Sequence, residues 1–171
     1  MSPAPNNHVE PMITEILTLL SKVSEKFEPD NLGMKQWMIR NFNNPKIAEH
    51  LEDSTIMMLR VLDAIGRLEP VNGITISKQF RIPKGSVSKA TRRLIAKKLL
   101  KTESLPNNKK EILYRTTPLG KELFQAHRAF DEQMEKSFVQ FLQKYDEDEL
   151  RFLVRVLRDA TEISFLQSIA P

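Results

Sequence analysis

Apolar residues recur with the spacing of an α-helix over most of the chain. After a Pro/Asn-rich tail at 1–10, which we expect to be disordered, one apolar stripe begins at Pro11 and stops before Pro29. The next helix after a weaker stretch is predicted to start at an Asp53-Ser54 cap and to end at Gly66. Other helical segments are predicted over 31–43, 47–51, 118–145 and 150–165.

The segment 74–120 has a different pattern. Val71-Asn72-Gly73 predicts a turn, and Thr75 opens a helix of one to two turns. After Arg81-Ile82-Pro83, a longer helix is predicted to begin at Pro83 and to run to Lys98. Two strands are then predicted, with the polar connector 105–110 between them, and their ranges are 99–104 and 111–117.

The helix predicted over 83–98 has two contrasting faces. At about 100° per residue, one side collects apolar positions together with Thr91, and Lys98 also points inward. The other side combines long cations with very small residues, which let a backbone approach a surface closely. The inward set is Val87, Ala90, Thr91, Leu94 and Ile95, and the outward set is Gly85, Ser88, Lys89, Arg92, Arg93 and Ala96.

Charge is concentrated in this same region. Residues 75–120 hold twelve Lys and Arg against two acids, whereas 1–74 and 121–171 each hold seven bases and ten acids. The whole chain therefore carries only +4, although its centre is strongly basic. A basic module between acidic flanks favours a polyanionic partner.

The composition excludes several other functions. The chain has no Cys, and its three His are scattered, so we expect neither a disulfide, a metal site nor a cofactor. The sequence contains no Gly-rich phosphate loop and no nucleophile motif, so we expect no enzyme activity. Its apolar runs are too short for a bilayer span and its start lacks a signal-peptide pattern, which favours a cytoplasmic protein with no membrane partner.

Three stretches resemble the MarR family of bacterial winged helix-turn-helix regulators. They are STIMMLRVLDAI (54–65), ITISKQFRIPKGSVSKATRRLIAKKLL (74–100) and LYRTTPLGKELF (113–124). The resemblance implies a mainly α fold with a small β-hairpin wing and long terminal helices that dimerise. It also implies a homodimeric repressor on a pseudo-palindromic operator in double-stranded DNA, released in some relatives by a small amphipathic effector. The wing departs from the family pattern, because Asn107-Asn108-Lys109-Lys110 stands where an Asp-x-Arg motif is usual.

On this basis the chain divides into four regions. These are a disordered tail (1–10), an N-terminal helical support (11–53), the winged helix-turn-helix domain (54–117) and the dimerisation helices (118–171). Lys89 and Arg92 are predicted to read bases, helped by Ser86 and Ser88. Phosphate or wing contacts are predicted for Lys84, Arg93, Lys97, Lys109 and Lys110.

Three further functions stay open from the sequence alone. Five residues are interpreted either as the lining of an effector pocket or as ordinary core packing. They are Trp37, Met38, Phe42, Met57 and Met58. The basic face would also suit a winged-helix module that binds an acidic protein. RNA is a weaker candidate because no aromatic residue interrupts the exposed basic face.

Overall fold

The computed structural model describes residues 9–27, 31–42, 44–105 and 108–163, and at 26, 27, 31, 105 and 108–110 it describes the backbone alone. Of the tail predicted to be disordered at 1–10, residues 1–8 lie outside the described part of the chain, as does Phe165. Val9 and Glu10 belong to α1, so the prediction of disorder is wrong for these two residues. The elements in chain order are α1 (Val9–Phe27), α2 (Asn31–Asn41), α3 (Pro45–Glu52), α4 (Ile56–Leu68), β1 (Val71–Asn72), α5 (Gly73–Gln79), α6 (Lys84–Ala96), β2 (Leu100–Leu105), β3 (Asn108–Thr116), α7 (Pro118–Leu142) and α8 (Glu147–Glu162).

The mainly α fold with a β-hairpin wing is confirmed, with one strand more than predicted. The sheet has the order β1-β3-β2, and both pairings are antiparallel. Val71 pairs with Tyr114 and is buried, so the turn predicted at Val71-Asn72-Gly73 is wrong. A strand of two residues is too short to show the alternation that reveals longer strands.

Two helix starts differ from the prediction because other residues cap them. The Thr55 hydroxyl accepts from the Met58 amide at 3.2 Å, so α4 is capped by Thr55 and not by Asp53 or Ser54. Likewise, α5 begins at Gly73 and not at Thr75, because the Asn72 side chain accepts from the Thr75 amide at 2.8 Å. At the N-terminus, α1 begins at Val9, two residues before the predicted start.

The ends of α4 and α6 also differ from the prediction. α4 continues through Gly66 to Leu68, and Gly66 serves packing instead, since a Cβ there would lie 2.6 Å from the Phe124 ring. α6 runs from Lys84 only to Ala96. Lys98 then adopts a left-handed φ of 58°, which leaves its side chain exposed and not inward as predicted, while Leu99 is fully buried.

The chain divides into two compact units, Met1–Phe130 and Asp131–Pro171. The first unit contains the hydrophobic core, in which side chains of α4, α5 and α6 meet those of α2, α3 and the first turns of α7. Its largest fully buried members include Met58, Leu62, Ile76, Leu94 and Leu123. This core fixes the position of α6 relative to the sheet.

The second unit, Asp131–Pro171, contains α8 and the later part of α7. The predicted acidic cap is confirmed, because Asp146 and Glu149 form a reciprocal capping box at the start of α8. Among its described residues α8 has none that is buried, although it carries Phe152, Val154 and Leu157. No helix in the described part of the chain combines the length and the apolar character that a bilayer crossing requires.

Candidate nucleic-acid interface

The two faces of α6 largely match the predicted ones. Val87, Ala90, Thr91 and Leu94 are buried, whereas Ile95 is 37% exposed and lies at the border. On the opposite side, the predicted DNA-contacting residues are exposed, except for Ser86, which is half-buried; they are Lys84, Ser88, Lys89, Arg92 and Arg93. We call this exposed set, with Gly85, the basic face.

The cations of the basic face are available to a ligand. Within the described residues, Lys84, Lys89 and Arg93 form no ion pair with any acid, and Arg92 donates a long 3.4 Å hydrogen bond to the Ser88 hydroxyl. That bond spans one helical turn and orients the guanidinium along the helix. Unpaired cations on a helix with small neighbours can meet phosphates and base edges without first breaking an ion pair.

Lys97 differs from the other predicted phosphate contacts. Its ammonium lies 3.2 Å from the Asp53 carboxylate, and this side chain is only 24% exposed. To contact the Lys97 ammonium, a DNA phosphate would have to displace the Asp53 carboxylate or share the ammonium with it. Sequence reasoning missed this pair, since it joins residues 44 positions apart.

The wing has an ion-pair cluster that the sequence reading did not identify. Arg115 on β3 donates to the Glu103 carboxylate on β2 at 2.9 Å, and Lys101 lies 3.6 Å from the same oxygen. The hydrogen bond from Arg115 lowers the pKa of Glu103 below its ordinary value. Two of the twelve basic residues counted in 75–120, Lys101 and Arg115, are therefore paired with Glu103 inside the wing.

The tip of the wing is shorter than predicted. Leu105 pairs with Asn108, so Lys109 and Lys110 lie on β3 and not in a six-residue connector. The side chains of Lys109 and Lys110, and all of Pro106 and Asn107, lie outside what the structure describes. The role predicted for these two lysines stays a prediction.

A polar junction joins the end of α4 to the base of the wing. The Glu69 carboxylate accepts hydrogen bonds from the amide and hydroxyl of Thr116 at 2.6 and 2.7 Å, and the Lys121 ammonium lies 3.5 Å away. Burial opposes ionisation of Glu69, but the bonds from Thr116 and the charge of Lys121 outweigh it and lower its pKa. No sequence pattern identified this contact.

The same junction includes the start of α7. The Thr117 hydroxyl accepts from the Gly120 amide at 3.0 Å, which confirms the predicted cap, and it donates to the Lys98 carbonyl at 2.7 Å. Gly120 has to lack a side chain, because a Cβ there would lie 1.9 Å from the Leu99 carbonyl oxygen. The end of α6, the base of the wing and α7 are thereby held together.

The residues proposed for an effector pocket lie in or against the core. Met38 and Met58 are 0% and 1% exposed, and Trp37, Phe42 and Met57 pack against the core while remaining partly exposed. The Trp37 ring meets Phe130 edge to face, with 5.5 Å between centroids. These contacts account for all five residues as packing, and an effector role for them stays a prediction.

Comparisons with known proteins agree with this geometry. Residues 51–120 match the family model described as a winged helix DNA-binding domain. The HTH-type transcriptional regulator YhjH of Bacillus subtilis (strain 168) is 29% identical over 155 residues, which cover 90% of this chain and 86% of that protein. The HTH-type transcriptional regulator PchR of the same organism is 29% identical over 150 residues, covering 88% and 86%.

Among solved structures, the MarR family transcription regulator SP03579 superposes with a TM-score of 0.61 at 14% identity, covering 91% of each chain. This similarity concerns the fold and agrees with the matched domain. The chain carries a winged helix DNA-binding domain over residues 51–120, is similar to HTH-type transcriptional regulators, and has a fold similar to that of a MarR family regulator.

Proposed function

We propose that this DNA-binding regulator is a homodimer that binds a pseudo-palindromic operator and represses transcription by occluding a promoter. The observation that carries the proposal is the basic face of α6, whose cations are exposed and free of acidic partners among the described residues. A helix with this character enters a major groove, while a neighbouring wing contacts the backbone or minor groove.

Within this proposal, Lys89 and Arg92 read base edges with help from Ser86 and Ser88. Small residues at positions 85 and 88 let the helix backbone approach the groove floor. Lys84 and Arg93 contact phosphates, and Lys97 does so after exchanging Asp53 for a phosphate. Lys109 and Lys110 supply the wing's contacts.

The dimer is supported by apolar side chains that the chain leaves exposed. On α7, four apolar side chains are 44–47% exposed, namely Met134, Phe138, Val139 and Phe141. On α8, three are 52–58% exposed, namely Phe152, Val154 and Leu157. Exposed apolar faces of this extent favour a protein partner, and a second copy of the chain is the simplest one. We assign residues 11–53 as support, 54–117 as the DNA-binding domain and 118–171 as dimerisation helices.

Release by a small amphipathic effector is the last part of the proposal. The structure of Staphylococcus aureus MarR was solved with salicylate and kanamycin. The MarR structure superposes on the present chain with a TM-score of 0.53 at 19% identity. That precedent concerns the other protein, and here it supports testing aromatic carboxylates.

Binding to the DNA upstream of the protein's own gene provides the test. We expect the affinity to fall steeply between about 50 and 200 mM salt, because several phosphates are neutralised per dimer. Footprinting should show two protected half-sites about one helical turn apart. Equal binding to random DNA would reject an operator-specific regulator, and a single protected half-site would reject the dimer.

A further inference from the structure

Two residues other than glycine have a left-handed backbone in the described part of the chain. They are Arg81 and Lys98, with φ of 52° and 58°. Each comes one residue after the C-cap of a helix, Arg81 after α5 and Lys98 after α6. Glycine is preferred at this position because a Cβ strains the left-handed conformation. A cation therefore stands at both places where glycine would be less strained.

The turn around Arg81 is fixed on both sides. The Ile82 amide donates to the Ser77 carbonyl at 3.1 Å, and the Ser77 hydroxyl donates to the Ile82 carbonyl at 2.7 Å. The Ile82 side chain is only 2% exposed and anchors the turn in the core. The exposed Arg81 side chain is therefore attached to a backbone that is already held in place.

The charge of Arg81 has no acidic partner within the described residues. Between positions 70 and 102 the sequence contains no Asp or Glu. None of the ion pairs in the described part of the chain includes Lys78, Arg81 or Lys84. These three exposed cations follow one another at intervals of three residues, so each raises the positive potential around the others. A polyanionic partner would account for this charge.

The position of Arg81 in the fold indicates where such a partner would bind. Arg81 lies in the turn between α5 and α6, three residues before Lys84, the first residue of α6. In a helix-turn-helix, the first helix crosses the DNA backbone and the N-terminal residues of the second helix enter the major groove. The turn between them therefore passes the phosphates at the edge of the groove. We propose that Arg81 binds a DNA phosphate there and fixes the position of α6 in the groove, a role that rests on the proposed DNA binding.

Lys98 shares the strained backbone and the charge of Arg81, but it lies at the opposite end of α6. Its carbonyl accepts from the Thr117 hydroxyl at 2.7 Å, at the base of the wing. The carbonyl groups at a helix end attract a cation, and this structural effect acts on both residues. Because the N-terminal end of the recognition helix enters the groove, Lys98 is a matched control for Arg81.

The test measures the binding of full-chain variants to the upstream DNA and to random DNA, with folding followed by urea denaturation. Arg81→Gly should raise the dissociation constant of both DNAs about five- to tenfold at about 100 mM salt. The dependence of log Kd on log salt should become less steep by about 0.9, because one phosphate contact is lost. The urea midpoint should stay unchanged or rise by up to about 0.5 M, since the backbone strain is relieved.

Two further variants separate the charge of Arg81 from its backbone. Arg81→Gln keeps the strained backbone and removes the charge, so DNA binding should weaken as in Arg81→Gly. Arg81→Lys keeps the charge and should stay within about threefold of the wild type, because lysine still neutralises the phosphate. If binding weakens in Arg81→Gly but not in Arg81→Gln, the loss comes from the turn itself and the proposal is wrong.

Lys98→Gly removes the same charge and the same strain at the other end of α6. It should keep the dissociation constant within about twofold of the wild type and leave the salt dependence unchanged, since distant charges are screened. An equal loss in Lys98→Gly and Arg81→Gly would mean that net charge alone matters, which overturns the proposal. Unchanged DNA binding in Arg81→Gly overturns it as well.

Failure of the proposed function would give a different result. A wild type that binds the upstream DNA no more tightly than random DNA rejects an operator-specific regulator. The contribution of Arg81 is still measurable on random DNA in that case, because a phosphate contact carries no sequence information.

Discussion

The winged module (54–117) and the terminal helices differ in how far their apolar side chains are buried. In the module, Leu59, Leu62, Ile65 and Leu94 are 0–1% exposed, so it completes a core from a single chain. In α8 no described residue is buried, although its apolar content is substantial. The module is therefore stabilised by internal packing, whereas we propose that a second copy of the chain covers the terminal helices.

The strongest test of the module's internal packing is Gly120→Ala. The added Cβ would lie 1.9 Å from the Leu99 carbonyl oxygen, which is backbone and cannot rotate away. We expect a loss of about 3 kcal/mol or more in the free energy of unfolding, measured in urea. Alanine normally stabilises a helix relative to glycine by about 1 kcal/mol, so a stabilised variant would contradict the observed contact. Gly85→Ala, which meets no atom within 4 Å, is the control.

The dependence of the terminal helices on a partner is tested by Leu157→Glu. Leu157 is 55% exposed within one chain, so the change should cost the isolated chain little. If this position is buried between two copies, the dimer dissociation constant should rise about hundredfold or more in sedimentation. Arg158→Glu, next to it and also exposed, makes a larger change in charge and should have a smaller effect. If the wild-type chain is monomeric at micromolar concentration, the proposal that a second copy covers the terminal helices is wrong.

The third prediction concerns the basic face that the winged module would present to DNA. Arg92→Ala should weaken binding to the upstream DNA by about 1–3 kcal/mol if Arg92 reads a base. Random DNA should be affected much less. An equal loss on both DNAs would assign Arg92 to the backbone. Lys97→Ala offers a comparison, since Asp53 already neutralises Lys97 at 3.2 Å and its loss should matter less.

The features of the fold that were predicted correctly follow from local sequence patterns. Four of the five apolar-face residues predicted for α6, the acidic cap of α8 and the order of helix, turn, helix and wing all result from local patterns, and the structure confirms them, whereas Ile95 and Lys98 are exposed. Contacts between distant residues were not predictable in this way. The pair Lys97–Asp53 and the bond from Thr116 to Glu69 span 44 and 47 positions, and neither residue type nor spacing marks them in advance.

Local rules also failed where tertiary packing changed the role of a residue. Gly66 suggested a helix end, yet it lies inside α4 because the Phe124 ring needs the space. The wing lacks the family's usual acid near its tip, yet Glu103 on the opposite strand binds Arg115. The position of the ion pair thus depends on the strand register, which a single sequence does not give.

The smallest predicted effect concerns Glu69, which joins the module's core to the first turn of α7. Glu69→Gln removes a charge that two bonds from Thr116 and the Lys121 ammonium stabilise, so we expect a loss of about 1–2 kcal/mol in the free energy of unfolding at pH 7. Because the pKa of Glu69 is lowered in the folded chain, its stabilising contribution is fully present above the unfolded pKa of about 4.3.

That contribution should then decrease as the pH falls through the lowered pKa of Glu69. The difference between wild type and Glu69→Gln, followed by urea denaturation, should therefore be constant from pH 7 to about pH 5 and close at more acidic pH. Glu49→Gln, an exposed acid on α3, controls for the loss of one negative charge. If the difference instead grew on acidification, the Glu69 carboxylate would be destabilised in the folded chain, and the contacts at the base of the wing would have to be assigned differently.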